Sequence, residues 1–217
     1  MAISRSVRIP PLELVADLQV PAHRKGLVIF AHGSGSSRFS PRNQWVARAL
    51  VGAGYATLLF DLLTEDEAAR RANVFDIELL AGRLVDVVDW ASVQPELADI
   101  PIGLFGASTG AAAALKAAAA RPSQVTTVIS RGGRPDLALD VADSVKVPTL
   151  LIVGGDDEPV LSWNREAARE LAGPSTVEVV PGATHLFEEP GALDEVVRLA
   201  VDWCDRHLAG AAAAAAR

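Results

Sequence analysis

Pro101-Ile-Gly-Leu-Phe-Gly-Ala-Ser108-Thr-Gly-Ala-Ala-Ala-Ala-Leu115 sets a serine between two glycines, after a short apolar run and before an alanine-rich one. The apolar run reads as a strand covered on both faces, and the alanine run as a helix. Between them, Gly106-Ala107-Ser108-Thr109-Gly110 must turn the backbone sharply, with Ser108 strained at the tip. Gly106 and Gly110 omit the Cβ atoms where strand and helix nearly touch. The helix N-terminus beneath the serine offers unpaired N–H groups to an anion. A bare G-x-S-x-G is a weak signal; one set between strand and helix points to an exposed serine nucleophile.

Outward from this turn the chain alternates between short apolar runs and helical periods. Ser6–Ile9 and Leu12–Val20, broken by Pro10-Pro11, predict an opening hairpin. Strands are expected at Gly26–Ala31, Ala56–Phe60, Ile102–Phe105, Val125–Ser130, Thr149–Val153 and Thr176–Val180. Helices are expected at Ser40–Gly52, with Trp45, Leu50 and Val51 toward the core, and at Asp76–Val93, Thr109–Ala120, Ser162–Leu171 and Ala192–Leu208. Arg131–Ser144 reads as a loop and short helix. Such alternation predicts an α/β fold: a mostly parallel, doubly wound sheet with an antiparallel N-terminal hairpin. Residues 1–208 are expected to form one domain, followed by an Ala-rich tail over 209–217.

Composition narrows the function classes. Half of the 217 residues are hydrophobic, enough for a substantial core. The net charge of −7 and the lack of any Lys/Arg run argue against a nucleic-acid partner. A single cysteine, Cys204, rules out an internal disulfide framework and a Cys-rich metal site, and its helical setting suits a buried small hydrophobe. No apolar segment approaches the roughly 20 residues of a membrane helix, and no secretory h-region opens the chain. The expectation is a cytoplasmic protein with no membrane partner, no metal and no organic cofactor.

A serine hydroxyl is a poor nucleophile until a base takes its proton. Of four histidines, His23 lies in the turn before a strand, at the wrong sheet edge, and His207 near the end of the last helix. His32 follows the strand Gly26–Ala31 and suits a structural place under the next loop. His185, in the loop after the last strand, emerges at the carboxyl edge, where ligand sites lie in such sheets. Its orienting carboxylate should come from the acidic turn Gly154-Gly155-Asp156-Asp157-Glu158, in which three acids compete. The glycine- and serine-rich His32-Gly33-Ser34-Gly35 loop suits half of an oxyanion hole. The N–H groups of Ser34 and Thr109 are the expected donors. The loop lacks the spacing of a P-loop.

With these marks together, the chain resembles an α/β-hydrolase of the dienelactone hydrolase-like group over nearly its whole length. The resemblance rests on His32-Gly33-Ser34-Gly35, Gly106-Ala107-Ser108-Thr109-Gly110, Gly154-x-x-Asp157-x-x-Val160 and Gly182-x-x-His185. In the family pattern the acid stands three residues before a valine, which favours Asp157. The serine–acid–histidine order is that of α/β-hydrolases. Dienelactone hydrolases proper carry a cysteine nucleophile where this chain has Ser108, so the resemblance implies ordinary ester hydrolysis. The small-molecule substrate is then expected to be a short-chain or protruding acyl ester. An acyltransferase on the same residues, or a silent binding protein, would be separated from it by product analysis and by fluorophosphonate labelling.

Only Arg131–Pro148 separates the sixth strand from the seventh, too short for a cap domain, so an open site is expected. Within it, Arg131-Gly-Gly-Arg134 emerges near Ser108. Either arginine is a candidate for binding a substrate carboxylate, set against a solvated turn or an ion pair to Asp136 or Asp61. Phe39, with Arg38, is a weaker candidate for lining the pocket, as are Leu186 and Phe187.

Overall fold

The computed structural model describes residues 2–209; the expected tail lies, beyond Ala209, outside them. Eight strands form one sheet: β1 (Ile3–Ile9), β2 (Leu14–Val20), β3 (Leu27–Ala31), β4 (Ala56–Phe60), β5 (Ile102–Ala107), β6 (Val125–Arg131), β7 (Thr149–Gly154) and β8 (Ser175–Val180). Their order across the sheet is β1-β2-β4-β3-β5-β6-β7-β8. β2 runs antiparallel to both its neighbours, β1 and β4, and every other pair is parallel. The hairpin forms as expected, with Ile9 opposite Leu14 across the turn. This is the α/β-hydrolase arrangement, with no cap domain among the described residues. No helix among the described residues is long and apolar enough to cross a membrane.

The helices are α1 (Pro41–Gly52), α2 (Glu65–Ala68), α3 (Arg71–Val74), α4 (Ile77–Ser92), α5 (Thr109–Ala120), α6 (Glu158–Glu170) and α7 (Ala192–His207), with a 3-10 stretch at Pro135–Ser144. Strand period two divides the core. Leu27, Ile29 and Leu104 face α4 and α5, while Val28, Phe30 and Phe105 face α1 and α7. Each fully buried side chain of this size contributes about 1.5–3 kcal/mol relative to exposure. The chain leaves the carboxyl end of β3 toward β4, and the carboxyl end of β5 in the opposite direction, toward β6. Where those exits diverge a crevice opens, and it holds both the Ser108 turn and the loop after β3.

Two local expectations change, and one stretch with no expected element holds helix. Trp45 is about half exposed, because the buried stripe of α1 runs through Asn43, Val46, Ala47 and Leu50. Helix α6 begins at Glu158 rather than Ser162: Pro159 is tolerated in the first turn, so the acidic turn is the helix start itself. The stretch between β4 and α4 holds the short α2, closed by a reciprocal capping box between Thr64 and Glu67.

Candidate active site

Ser108 stands at φ 52° and ψ −122°, between the last residue of β5 and the first of α5. Left-handed φ in a non-glycine residue costs on the order of 1–3 kcal/mol and persists only where its surroundings impose it. Those surroundings are visible. A Cβ on Gly106 would sit 2.4 Å from Cα of Ala111, and one on Gly110 would sit 2.2 Å from the Ala31 carbonyl oxygen. The close approach at Gly110 is thus to β3, one strand over from the serine's own. The Ser108 N–H donates to the Arg131 carbonyl (3.3 Å), and the Arg134 N–H donates to the Ser108 carbonyl (3.0 Å). The Arg131–Arg134 loop therefore braces the turn through its backbone.

His185 reaches the serine from the loop after β8. Its Nε2 lies 3.3 Å from Ser108 Oγ, and its Nδ1 lies 2.7 Å from Asp157 Oδ2. The longer contact is of the kind that tightens when substrate binds. Asp157 occupies the N-cap position of α6 with its side chain 12% exposed, whereas Asp156 and Glu158 point to solvent. Of the three acids only Asp157 meets the imidazole. The loop is pinned by Phe187, buried at φ 54°, and by Gly132, whose φ is 52° and whose added Cβ would press on the His185 carbonyl at 3.1 Å.

The loop after β3 approaches from the other side. His32 keeps the structural place expected of it: Nε2 accepts the Leu62 N–H at 3.2 Å, leaving Nδ1–H to donate to the Gly33 carbonyl at 3.0 Å. Burial holds this imidazole below its ordinary pKa, against the opposing pulls of the Gly33 carbonyl and Asp61. The Ser34 N–H donates to Thr109 Oγ1 at 2.9 Å, tying the loop to the start of α5. Thr109 is the first residue of α5, so its own N–H has no intrahelical acceptor. The two expected oxyanion donors thus sit together beside Ser108, one already engaged by the other residue's hydroxyl.

The profile of the dienelactone hydrolase family matches residues 14–200. The chain belongs to the dienelactone hydrolase family. A crystal structure of a dienelactone hydrolase from Anabaena variabilis superposes with a TM-score of 0.92 at 50% identity, covering 96% of this chain and 98% of that one. Est1E of Butyrivibrio proteoclasticus shares the fold at 17% identity and a TM-score of 0.79, covering 94% and 98% of the two chains. A Mycobacterium tuberculosis protein named "putative phosphoribosyl transferase" is 59% identical over 200 residues. The match takes 92% of this chain but only 45% of that protein, so this chain spans less than half the length of that relative.

In this dienelactone hydrolase family member two cavities flank the loop after β3. One, of about 280 Å³, holds Ser108 and His185 together with Arg42, Asn43 and Arg131. The other, of about 420 Å³, is mainly apolar and is lined by Phe39, Leu62, Leu63, Val74 and Leu80. The two share Gly33, Ser34 and Ser36. Phe39, expected beside the substrate, therefore lines the apolar neighbour and not the cavity of the serine. Arg134 turns away: it pairs with Asp136 at 2.8 and 2.9 Å and lies 4.2 Å over the Trp163 ring. This is the ion pair weighed as its alternative, made accessible by a carboxylate only two residues on.

Arg131 does enter the serine's cavity. It is 8% exposed, and burial, with Arg42 nearby, lowers its pKa to about 10, so it stays charged at neutral pH. Arg42 and Asn43 had escaped sequence reasoning. The available signal was Asn43 itself, a polar residue inside the apolar stripe of α1. Asn164 escaped in the same way; fully buried on α6, it donates to the Gly133 carbonyl (2.9 Å) and the Val160 carbonyl (2.7 Å) and so steadies the bracing loop.

Proposed function

We propose that this protein is a serine esterase that cleaves small carboxylic esters through an acyl-enzyme. One observation carries the reading: a continuous path of contacts from Ser108 Oγ through both nitrogens of His185 to Asp157, at 3.3 and 2.7 Å. Ser108 Oγ attacks the acyl carbon as His185 Nε2 takes its proton. Asp157 accepts the Nδ1 hydrogen bond, fixing the tautomer and stabilising the imidazolium. The oxyanion is held by the N–H groups of Thr109 and Ser34, the latter released from Thr109 Oγ1 as the charge develops. Collapse expels the alcohol, which takes its proton from His185. Water, deprotonated by His185, then attacks the acyl carbon, and Ser108 leaves with the proton returned. The scheme draws on no metal or organic cofactor, and membership of a hydrolase family supports it.

The test is hydrolysis of p-nitrophenyl acetate, butyrate and hexanoate by the wild-type chain and by Ser108→Ala. Turnover should fall by about 10⁴-fold or more in the variant, since the members of such a set act as a unit. A fluorophosphonate should label the wild-type chain on Ser108. Turnover that survives in Ser108→Ala, or labelling elsewhere, would remove the proposal.

A further inference from the structure

A threonine hydroxyl stands where the helix behind Ser108 meets the loop after β3. The Ser34 N–H donates to Thr109 Oγ1 at 2.9 Å. Among the described residues this is the sole hydrogen bond between residues 33–39 and the turn that carries Ser108. The ends of the loop are fastened elsewhere. His32 accepts the Leu62 N–H, and Arg38 reaches Asp61 both through its own N–H (2.8 Å) and through its side chain.

Between those ends little holds the backbone. Glycines flank Ser34 on both sides, Gly35 stands at φ 70°, and Ser34, Gly35 and Ser36 are all exposed. Yet the segment runs close over the serine: a Cβ on Gly33 would lie 3.0 Å from Ser108 Cβ and 3.1 Å from the Ala107 carbonyl oxygen. An N–H on so loose a segment would otherwise turn to water. Thr109, 5% exposed at the start of α5, gives it a fixed acceptor instead. The acyl transfer asks of this residue only a backbone N–H, which any amino acid but proline supplies. Its hydroxyl has no part in those steps.

We infer that Thr109 is a positioning residue that acts through Ser34: its hydroxyl holds the Ser34 N–H at the seat of the oxyanion and yields it when the charge forms. The hold stands on the contact itself; its catalytic part rests on the esterase reading. A hydrogen bond to an anion is roughly twice as strong as one between neutral groups. A neutral ester carbonyl therefore gains little by displacing the hydroxyl, whereas the tetrahedral oxyanion displaces it readily. No proton moves in this exchange; only the acceptor changes. An interaction made at that point alone raises kcat and leaves KM where it was.

Thr109→Val keeps the branched shape and removes the acceptor, while Thr109→Ser keeps the acceptor and removes a methyl group. On p-nitrophenyl butyrate, Thr109→Val should lower kcat about 10-fold with KM unchanged, the scale of one hydrogen bond. Thr109→Ser should retain most of the wild-type kcat. Thr109→Ala takes the place of the valine variant if that one does not fold. Amide hydrogen exchange at Ser34, followed by NMR on the isotopically labelled chain, reads the hold without turnover. Protection should fall about 10-fold in Thr109→Val and persist in Thr109→Ser. Equal exchange at Ser34 in the wild-type and valine chains overturns the hold. Lost protection with kcat unchanged or raised overturns the positioning role, as does a loss carried by KM. A serine variant as slow as the valine one assigns the effect to shape and overturns it too. Turnover by none of the proteins, with protection lost in Thr109→Val, sinks the esterase reading and leaves the hold standing.

Discussion

At Ser108 the chain keeps a side chain in a backbone conformation that glycine adopts without cost. A turn needed only for connection has no use for a hydroxyl there, which is why the strain itself points to function. His32 shows the opposite economy: a titratable ring used for shape. Its neutral form accepts the Leu62 N–H, and burial lowers its folded-state pKa. Its contribution to stability is complete above the unfolded pKa of about 6.5 and is lost as the pH falls from there through the lowered folded value. The melting temperature should therefore drop between pH 7.5 and pH 5. His32→Gln, which keeps an acceptor but cannot titrate, should flatten that drop; an unchanged slope in the variant would assign it to another group. At this scale the sequence located the side chains that meet, by elimination among four histidines and by the spacing around Ser108. It did not distinguish Asp157 from its neighbours without the family pattern, because one residue of offset on a turn reverses which carboxylate points inward. It named Asp136 as a partner that could capture Arg134, but did not separate Asp136 from Asp61.

Elements explain what was harder to read. The loop from Arg131 to Arg134 looked like a source of side chains, yet its backbone braces Ser108 and its glycines allow the closeness. A Cβ on Gly133 would lie 1.9 Å from Ser130 Oγ, and one on Gly132 would press on the His185 loop. The brace is anchored from α6 by Asn164, whose position among Val160, Leu161 and Ala167 marks it as a polar group placed inside an apolar stripe. Asn164→Ala is expected to cost about 1–3 kcal/mol in urea unfolding, because the Gly133 carbonyl loses its buried donor. Its kcat on p-nitrophenyl butyrate should fall with little change in KM, since the serine turn and not the pocket is loosened. A stability loss with kcat intact would confine Asn164 to packing. The eight strands and the five long helices were legible because apolar runs and helical periods alternate cleanly. The short helices between β4 and α4 were not, since four-residue helices leave no periodicity to detect.

Over the whole molecule, the divergence of connections at β3 and β5 opens one crevice, which the loop after β3 divides into a cationic and an apolar side. A substrate that spans both would place its apolar part against Phe39, Leu62 and Val74. Phe39→Ala should then lower kcat/KM for p-nitrophenyl hexanoate about 10-fold more than for the acetate, the scale of a few methylene contacts. Equal losses on both esters would show that the longer chain lies elsewhere. The topology was foreseeable from the order of elements; the partition of the crevice was not, because it depends on where α2 and α3 settle.

The sheet order also sets a schedule. Ser108 is made 77 residues before the histidine it meets, and that histidine follows Asp157 by 28. The face bearing Val28, Phe30 and Phe105 is roofed by α1 and α7, and α7 follows every other described element. Until residues 175–207 are made, a growing chain therefore carries Ser108 without the histidine it meets and an uncovered greasy flank. The strand that ends in the histidine loop and the helix that closes the flank arrive together. Closing the apolar flank and bringing His185 to Ser108 thus fall at the same stage of synthesis, and a chain that has not reached it is in need of protection.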